Sequence, residues 1–203
     1  MIFEFEKFLE SNNLVDTSGE LSAKFTCNIN AKIRVKSDFD IQSPLPDFIE
    51  IVDDNYDFYI TYKNIDSNFC LVPKVLTLGI GCRKNKLFSD IENYFAILMK
   101  ENNISPLSFN KICSIDLKKD EEGIILLAKK YNIPFITYSS NELQKAEGEY
   151  KKSDFVKSIT GVDNVCERSA KLGCDGKIIL HKTAFDGITI AVGLSNYTVN
   201  FNT

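Results

Sequence analysis

The sequence predicts an α/β protein with a mixed, mostly parallel sheet flanked by helices, preceded by a small α/β segment. Three observations predict it. From about residue 73, short apolar β-branched runs alternate with stretches that carry apolar residues at helical spacing. Such alternation implies parallel strands joined by right-handed crossovers. Residues 177–181 and 187–192, joined by 183–186, read as an antiparallel pair that makes the sheet mixed. Before residue 72 the runs are shorter, with one helical pattern among turn residues.

In the first part, residues 2–11 set Phe5, Phe8 and Leu9 among charges, an amphipathic helix stopping at Ser11-Asn12-Asn13. Residues 12–30, rich in Asn, Ser, Thr and Gly, read as loop. Residues 31–35 alternate Ile33 and Val35 with Lys32 and Arg34, a half-exposed strand. Ser43-Pro44-Leu45-Pro46 interrupts regular structure. Residues 49–52 and 58–62 are short strands around Asp53-Asp54-Asn55, and 69–72 is an apolar link. A boundary at 72 leaves a 1–72 segment, small for a self-sufficient core, and a 73–203 domain.

In the second part, the central strand, 75–80, runs into Gly79-Ile80-Gly81-Cys82-Arg83-Lys84, which reads as a tight turn leading to a helix over 87–101. Phe88, Ile91, Phe95 and Leu98 give that helix its apolar face. A strand over 111–117 precedes a helix over 120–131, whose first turn holds three acids where the dipole favours them. A third strand, 134–138, meets Ser139-Ser140-Asn141-Glu142, a cap and first turn. Residues 146–158 are polar, a loop or weak helix, and 165–172 form a helix ending at Gly173.

Composition excludes several classes. A net charge of −4 is not that of a general nucleic-acid binder. No run approaches the roughly 18 apolar residues of a membrane span. The acidic start lacks the order of a signal peptide, so a cytoplasmic protein is expected. Six cysteines (27, 70, 82, 113, 166 and 174) form no Cys-x-x-Cys pair, so no disulfide framework is expected. With His181 the only histidine, neither is a zinc site.

Parallel neighbours would bring three strand ends to one rim. There, residues 79–86 suggest an anion-accepting pocket: Gly79 and Gly81 admit a ligand to the backbone, and Arg83 offers a forked donor pair. Cys82 has no base nearby in sequence and reads as a small packing residue. Ser114, Asp116, Lys118, Glu121, Ser139 and Ser140 complete the rim, where an acid beside a lysine can divide proton acceptance from donation. The plainer alternative is that these acids cap a helix and these lysines are solvated. Glu167 is either a dipole partner in its helix or a carboxylate reaching the rim. Lys182 either reaches a substrate carboxylate or is solvated, and His181 reads as a surface or core histidine. The glycines match neither the dinucleotide fingerprint nor a P-loop.

These residues, taken in order, resemble the CbiG family of cobalamin biosynthesis. The resemblance rests on Leu78-Gly79-Ile80-Gly81-Cys82-Arg83, Ser114-Ile115-Asp116-Leu117-Lys118 with Glu121, Tyr138 to Leu143, Gly161-Val162 through Glu167, the Lys182 strand, and Ile188 to Val192. It covers roughly residues 73–195, with 1–72 similar to the family's middle region; the C-terminal domain is shared with CobE proteins. It implies a cobalt-precorrin-5A hydrolase, which opens a δ-lactone with water and releases acetaldehyde to give cobalt-precorrin-5B. The implied partner is a tetrapyrrole, with no nucleic acid or membrane involved; other cobalamin-pathway enzymes and further copies of the chain are the remaining partners to consider. No protein cofactor is expected, since the substrate carries the cobalt. We expect Asp116 or Glu121 as base and Lys118 or Arg83 as oxyanion partner, with Gly79, Gly81, Cys82, Arg83, Ser114, Ser139, Ser140, Glu167 and Lys182 binding substrate. Family members carry a further N-terminal domain of about a hundred residues. Its absence from this sequence leaves a corrinoid-binding module as the alternative expectation.

Overall fold

The computed structural model describes residues 4–19, 21, 32–65 and 69–202. They form two compact units. The first comprises the described residues up to Lys74 with 103–108 and 197–202, and the second comprises 75–102 and 109–196. A single boundary at 72 would leave 103–108 and 197–202 with the second part. They belong to the first because Val199 pairs with Ile41, Phe201 stacks on Phe8 and Lys63 bridges to Ile104.

In the first unit the helix α1 (Phe5–Ser11) is followed by a five-stranded sheet in the order β1 (Leu14–Asp16), β6 (Cys70–Pro73), β5 (Phe58–Ile60), β2 (Ile33–Ser37), β4 (Ile49–Ile51). A separate parallel pair joins β3 (Asp40–Ile41) to β12 (Thr198–Val199). Phe5, Phe8, Phe58 and Phe201 share its core, and Phe8 stacks on Phe201 at 4.7 Å between centroids. Two strands replace expected irregular structure: β1 lies in the predicted 12–30 loop and β6 in the predicted 69–72 link. Each is too short to show a period. Their partners define them, β6 pairing with β1 on one side and β5 on the other. The rest of the predicted loop (20 and 22–30, with Cys27), Ala31 of the predicted strand, and residues 2 and 3 of the predicted helix lie outside the described residues.

The second unit is a five-stranded mixed sheet in the order β10 (Lys177–Phe185), β11 (Ile188–Leu194), β7 (Leu76–Cys82), β8 (Phe109–Ile115), β9 (Phe135–Tyr138). β7, β8 and β9 are parallel, and β11 runs antiparallel to both its neighbours. The helices α2 (Phe88–Glu101) and α3 (Glu122–Tyr131) are the crossovers between these parallel strands. Phe95 of α2 meets Phe109 and Tyr131 edge-on, with centroids 5.4 and 5.1 Å away. After β9 come α4 (Ser140–Gln144), α5 (Asp154–Thr160), where a loop or weak helix was expected, and α6 (Val165–Gly173). β10 continues through the expected 183–186 connection, and the turn falls at Asp186-Gly187, both with positive φ. No helix among the described residues is long and apolar enough to cross a membrane.

The largest correction concerns the glycines. Gly79 and Gly81 are not in a turn but inside β7, paired with Ala191 and Thr189. Alternation sends Leu76, Leu78 and Ile80 to one face, and Thr77, Gly79 and Gly81 to the face that α6 covers. A Cβ on Gly79 would sit 1.9 Å from the Cys166 carbonyl oxygen, and one on Gly193 2.8 Å from that of Ala170. Thr77 Oγ1 donates to the Gly173 carbonyl at 3.0 Å, and Ser169 Oγ lies 3.1 Å from that of Cys113. The expected helix start at Leu87 shifts to Phe88, so 83–87 forms the connecting loop.

Gly79→Ala is therefore expected to destabilise by about 1–3 kcal/mol, the range for overpacking a tight core. Urea unfolding measures this, and an unchanged midpoint would contradict the close seating of α6.

Candidate functional site

Register brings the carboxyl ends of β7, β8 and β9 to one edge: Gly79 pairs with Cys113, and Ile115 with Tyr138. Just beyond it lie Cys82-Arg83-Lys84, a 3-10 turn over Asp116–Lys118, and the Ser139-Ser140 start of α4. Arg83 is exposed, its amide donating to the Gly187 carbonyl at 2.9 Å and its side chain lying over Gly187. Its guanidinium forms no ion pair among the described residues, although its charge, after Lys86, helps to lower the pKa of Asp186, and Lys84 forms none either.

Lys118 and Glu121 do come together. Lys118 Nζ lies 2.8 Å from Glu121 Oε2, while the Lys86 amide donates to Oε1 at 3.2 Å. Glu121 is 8 % exposed and stands at the N-cap position of α3 without a side-chain capping bond; Lys118 and the Lys86 amide engage its two oxygens. Lys86 Nζ in turn holds Asp186 at 2.5 Å and Asp90 at 3.0 Å. Those acids raise its pKa, with hydrogen bonding to Asp186 the largest effect. Asp116 is exposed, without a side-chain partner among the described residues. Beside this cluster the half-buried Cys82 thiol has its pKa pushed up to about 11, chiefly by burial. Lys118 and Lys86 pull it down, and Glu121 pushes it up. It stays protonated near neutral pH, which suits packing and not nucleophilic attack.

Other expected residues stand elsewhere. Gly79 faces α6 and leaves no room for a ligand, and the half-buried Gly81 faces Thr189, whose Oγ1 would lie 2.8 Å from an added Cβ. Ser114 is fully buried and donates to the Ile80 carbonyl at 2.7 Å, stapling β8 to β7. Ser139 and Glu142 form a capping box, with Ser139 Oγ donating to Glu142 Oε2 at 2.6 Å. Ser140 sits beside Gly161, whose φ of +74° ends α5.

Glu167 is fully buried and so cannot touch a substrate. Its Oε2 accepts from the Lys151 amide at 3.1 Å and from Asn164 Nδ2. Its Oε1 accepts from the Lys182 amide at 3.0 Å and lies 2.8 Å from His181 Nδ1. Burial raises its pKa, but the Lys182 amide, His181 and the Lys151 amide outweigh it and hold the carboxyl below its ordinary value. His181 and Lys182 do not end a strand. They face the single residue Ala191 in a bulge of β10, since Leu180 pairs with Val192 and Thr183 with Ile190. This cluster escaped the sequence reading. Its one local trace is the Asn164-x-x-Glu167 spacing, in which Asn164 Oδ1 accepts the Glu167 amide at 3.0 Å.

Together these features define an α/β domain in which the exposed Arg83, Lys84 and Asp116 stand just beyond the carboxyl ends of the parallel strands, beside the Lys118–Glu121 pair. The chain belongs to the family described as "Cobalamin synthesis G C-terminus", whose sequence signature matches residues 76–193. It is 32% identical over 126 residues to the cobalt-precorrin-5A hydrolase of Salmonella typhimurium, covering 62% of this chain and 36% of that protein. Against the cobalt-precorrin-5A hydrolase of Priestia megaterium it is 36% identical over 127 residues, covering 62% and 33%. The chain thus matches about a third of the length of these relatives. The crystal structure of CobE, a protein from the cobalamin biosynthetic pathway, superposes with a TM-score of 0.54 at 26% identity, over 59% of this chain and 89% of that one.

Glu167→Gln is expected to cost about 1–3 kcal/mol at pH 7, since an amide cannot accept at both positions. A lowered folded pKa means this contribution is complete above the ordinary Glu value of about 4.3 and is lost as pH falls through the folded value. Thermal unfolding of both proteins between pH 7 and 3 checks this. The gap should close at the acid end, and a constant gap would contradict an ionised buried Glu167.

Proposed function

We propose that this chain acts in cobalamin biosynthesis, in the cytoplasm, as a cobalt-precorrin-5A hydrolase that opens the substrate's δ-lactone with water and releases acetaldehyde. The family assignment and the names of the relatives support the reaction. The five described cysteines are all free thiols, which suits a reducing compartment. The observation that carries the substrate assignment is the rim: Arg83, Lys84 and Lys118 follow the carboxyl ends of neighbouring strands, and Arg83 forms no ion pair among the described residues.

A corrinoid precursor carries several acetate and propionate groups, and a guanidinium with lysines matches them. Leu87 and Leu117, 66% and 63% exposed beside these cations, offer apolar surface to a macrocycle. Cobalt enters within the substrate, so the protein supplies binding and proton transfer. Of the two carboxylates expected as base, Glu121 is committed to Lys118 and the Lys86 amide, which makes Glu121 an anchor for Lys118. Lys118 and Arg83 are then the cations for substrate carboxylates and for charge developing on the lactone oxygen. Asp116 remains the unpartnered carboxylate of the rim.

Arg83→Ala is expected to weaken binding of cobalt-precorrin-5A about tenfold, the scale of one charge-assisted hydrogen bond. Titration of wild type and variant measures this, and equal affinities would remove Arg83 from the binding surface. Acetaldehyde release tests the reaction: tight binding without acetaldehyde would leave a corrinoid-binding module in place of a hydrolase.

A further inference from the structure

In the sheet of the second unit, β9 is an edge strand that pairs with β8 alone. An edge offers its unpaired amides and carbonyls to any other strand, and monomeric proteins guard such edges with charge, proline or a bulge. The opposite edge, β10, is guarded by its bulge and by Lys177 and Lys182. β9 has no such guard. It reads Phe135-Ile136-Thr137-Tyr138, uncharged throughout, with Ile136 36% exposed. Pro134 precedes the strand and blocks neither Phe135 nor Thr137.

The register determines which groups stay open. Ile112 lies opposite Phe135, and its amide donates to the Pro134 carbonyl at 2.9 Å. In a parallel ladder that phase turns the amide and carbonyl of Ile136 toward β8, and those of Phe135 and Thr137 outward. Two copies of β9 laid antiparallel, with a two-fold axis at Ile136, set each Phe135 opposite the second copy's Thr137. Both pairs then exchange N–H···O bonds. Ile136 meets its own counterpart across the axis, at the kind of position where facing side chains come closest.

The helix beside this edge is self-complementary about the same axis. Glu122, Ile125, Lys129 and Asn132 recur at helical spacing along one side of α3 and its cap. Ile125 and Lys129, with Ala128, Ile133 and Phe135, line an open groove between α3 and β9. Glu122 and Lys129 are exposed, and neither forms an ion pair among the described residues. Ile125 lies close to midway between them. From Asn132, the helix back to Ile125 rises about 10 Å and the chain out to Ile136 about 13 Å, so the two isoleucines stand at nearly one height. A two-fold at Ile136 therefore lays α3 antiparallel to its copy. Glu122 then faces the second copy's Lys129 on either side of Ile125, opposite charges in both places.

We propose that β9 is a homodimer interface, in which antiparallel β9 strands join the five-stranded sheets of two copies into one continuous sheet. The two carboxyl edges then point to opposite ends of the joined sheet, and Arg83, Lys84 and Asp116 take no part in the pairing.

Sedimentation equilibrium from about 1 µM to about 1 mM tests this. Wild type is expected to show a monomer–dimer equilibrium. Thr137→Pro removes an outward amide that β8 does not use, and Ile136→Lys sets like charges face to face on the axis. Each is expected to raise the dissociation constant about tenfold or more. Lys129→Glu is expected to weaken the dimer and the double variant Glu122→Lys with Lys129→Glu to restore it, since a charge swap rescues a facing pair and not a folding defect. Hydrogen exchange reads the strand directly: the Phe135 and Thr137 amides should be slow in the dimer and fast in the monomer. A wild type that stays monomeric throughout overturns the proposal. So does a dimer that all these variants leave intact, or one whose Phe135 and Thr137 amides exchange as fast as in the monomer.

Discussion

The second unit depends on one steric constraint, the absence of side chains where α6 meets the sheet. Gly79 and Gly193 on the strands and Gly173 on the helix each lie where an added Cβ would come within 3 Å of a neighbouring atom. Close seating lets backbone and short polar groups lock the two layers, through Thr77 to the Gly173 carbonyl and Ser169 to the Cys113 carbonyl. It also sets the height of the helix start above the sheet. That height is what brings the carboxylate of Glu167, one turn in, within hydrogen-bond reach of the β10 bulge.

Two buried carboxylates then tie the helices of the second unit to its sheet. Glu167 gathers donors from α6, the 151 segment and β10, and ends with an imidazole. Glu121 gathers the Lys86 amide and Lys118, while Lys86 itself bridges Asp90 and Asp186. Both are satisfied by several donors, which offsets the penalty for burying charge. Arg83 is the contrast: an exposed guanidinium that forms no ion pair among the described residues, next to the paired Lys118 and Glu121.

The sequence exposes the parts of this plan that depend on local pattern. Phe88, Ile91, Phe95 and Leu98 mark α2 to within one residue, and Ser139 with Glu142 marks a capping box that the structure contains. The strand–helix alternation and the terminal hairpin are legible for the same reason. What stays hidden is set by distant partners. β1 and β6 are strands because they pair with each other across more than fifty residues of chain. Gly79 reads as a ligand-facing turn until a helix from residue 165 onward occupies its face. Ser114 resembles a rim hydroxyl, yet pairing with β7 buries it. His181 shows no local sign of its contact with Glu167, because that carboxylate arrives from another element.

The central claim is that the carboxyl edge of β7, β8 and β9 is where a carboxylated corrinoid sits. Amide spectra of the 15N-labelled chain, titrated with a diamagnetic cobalt(III) corrin polycarboxylate, test it most directly. The account predicts shifts concentrated at residues 82–87, 116–118 and 139–140. Shifts confined to the opposite end of the same strands, around Leu76, Phe109 and Phe135, would contradict it.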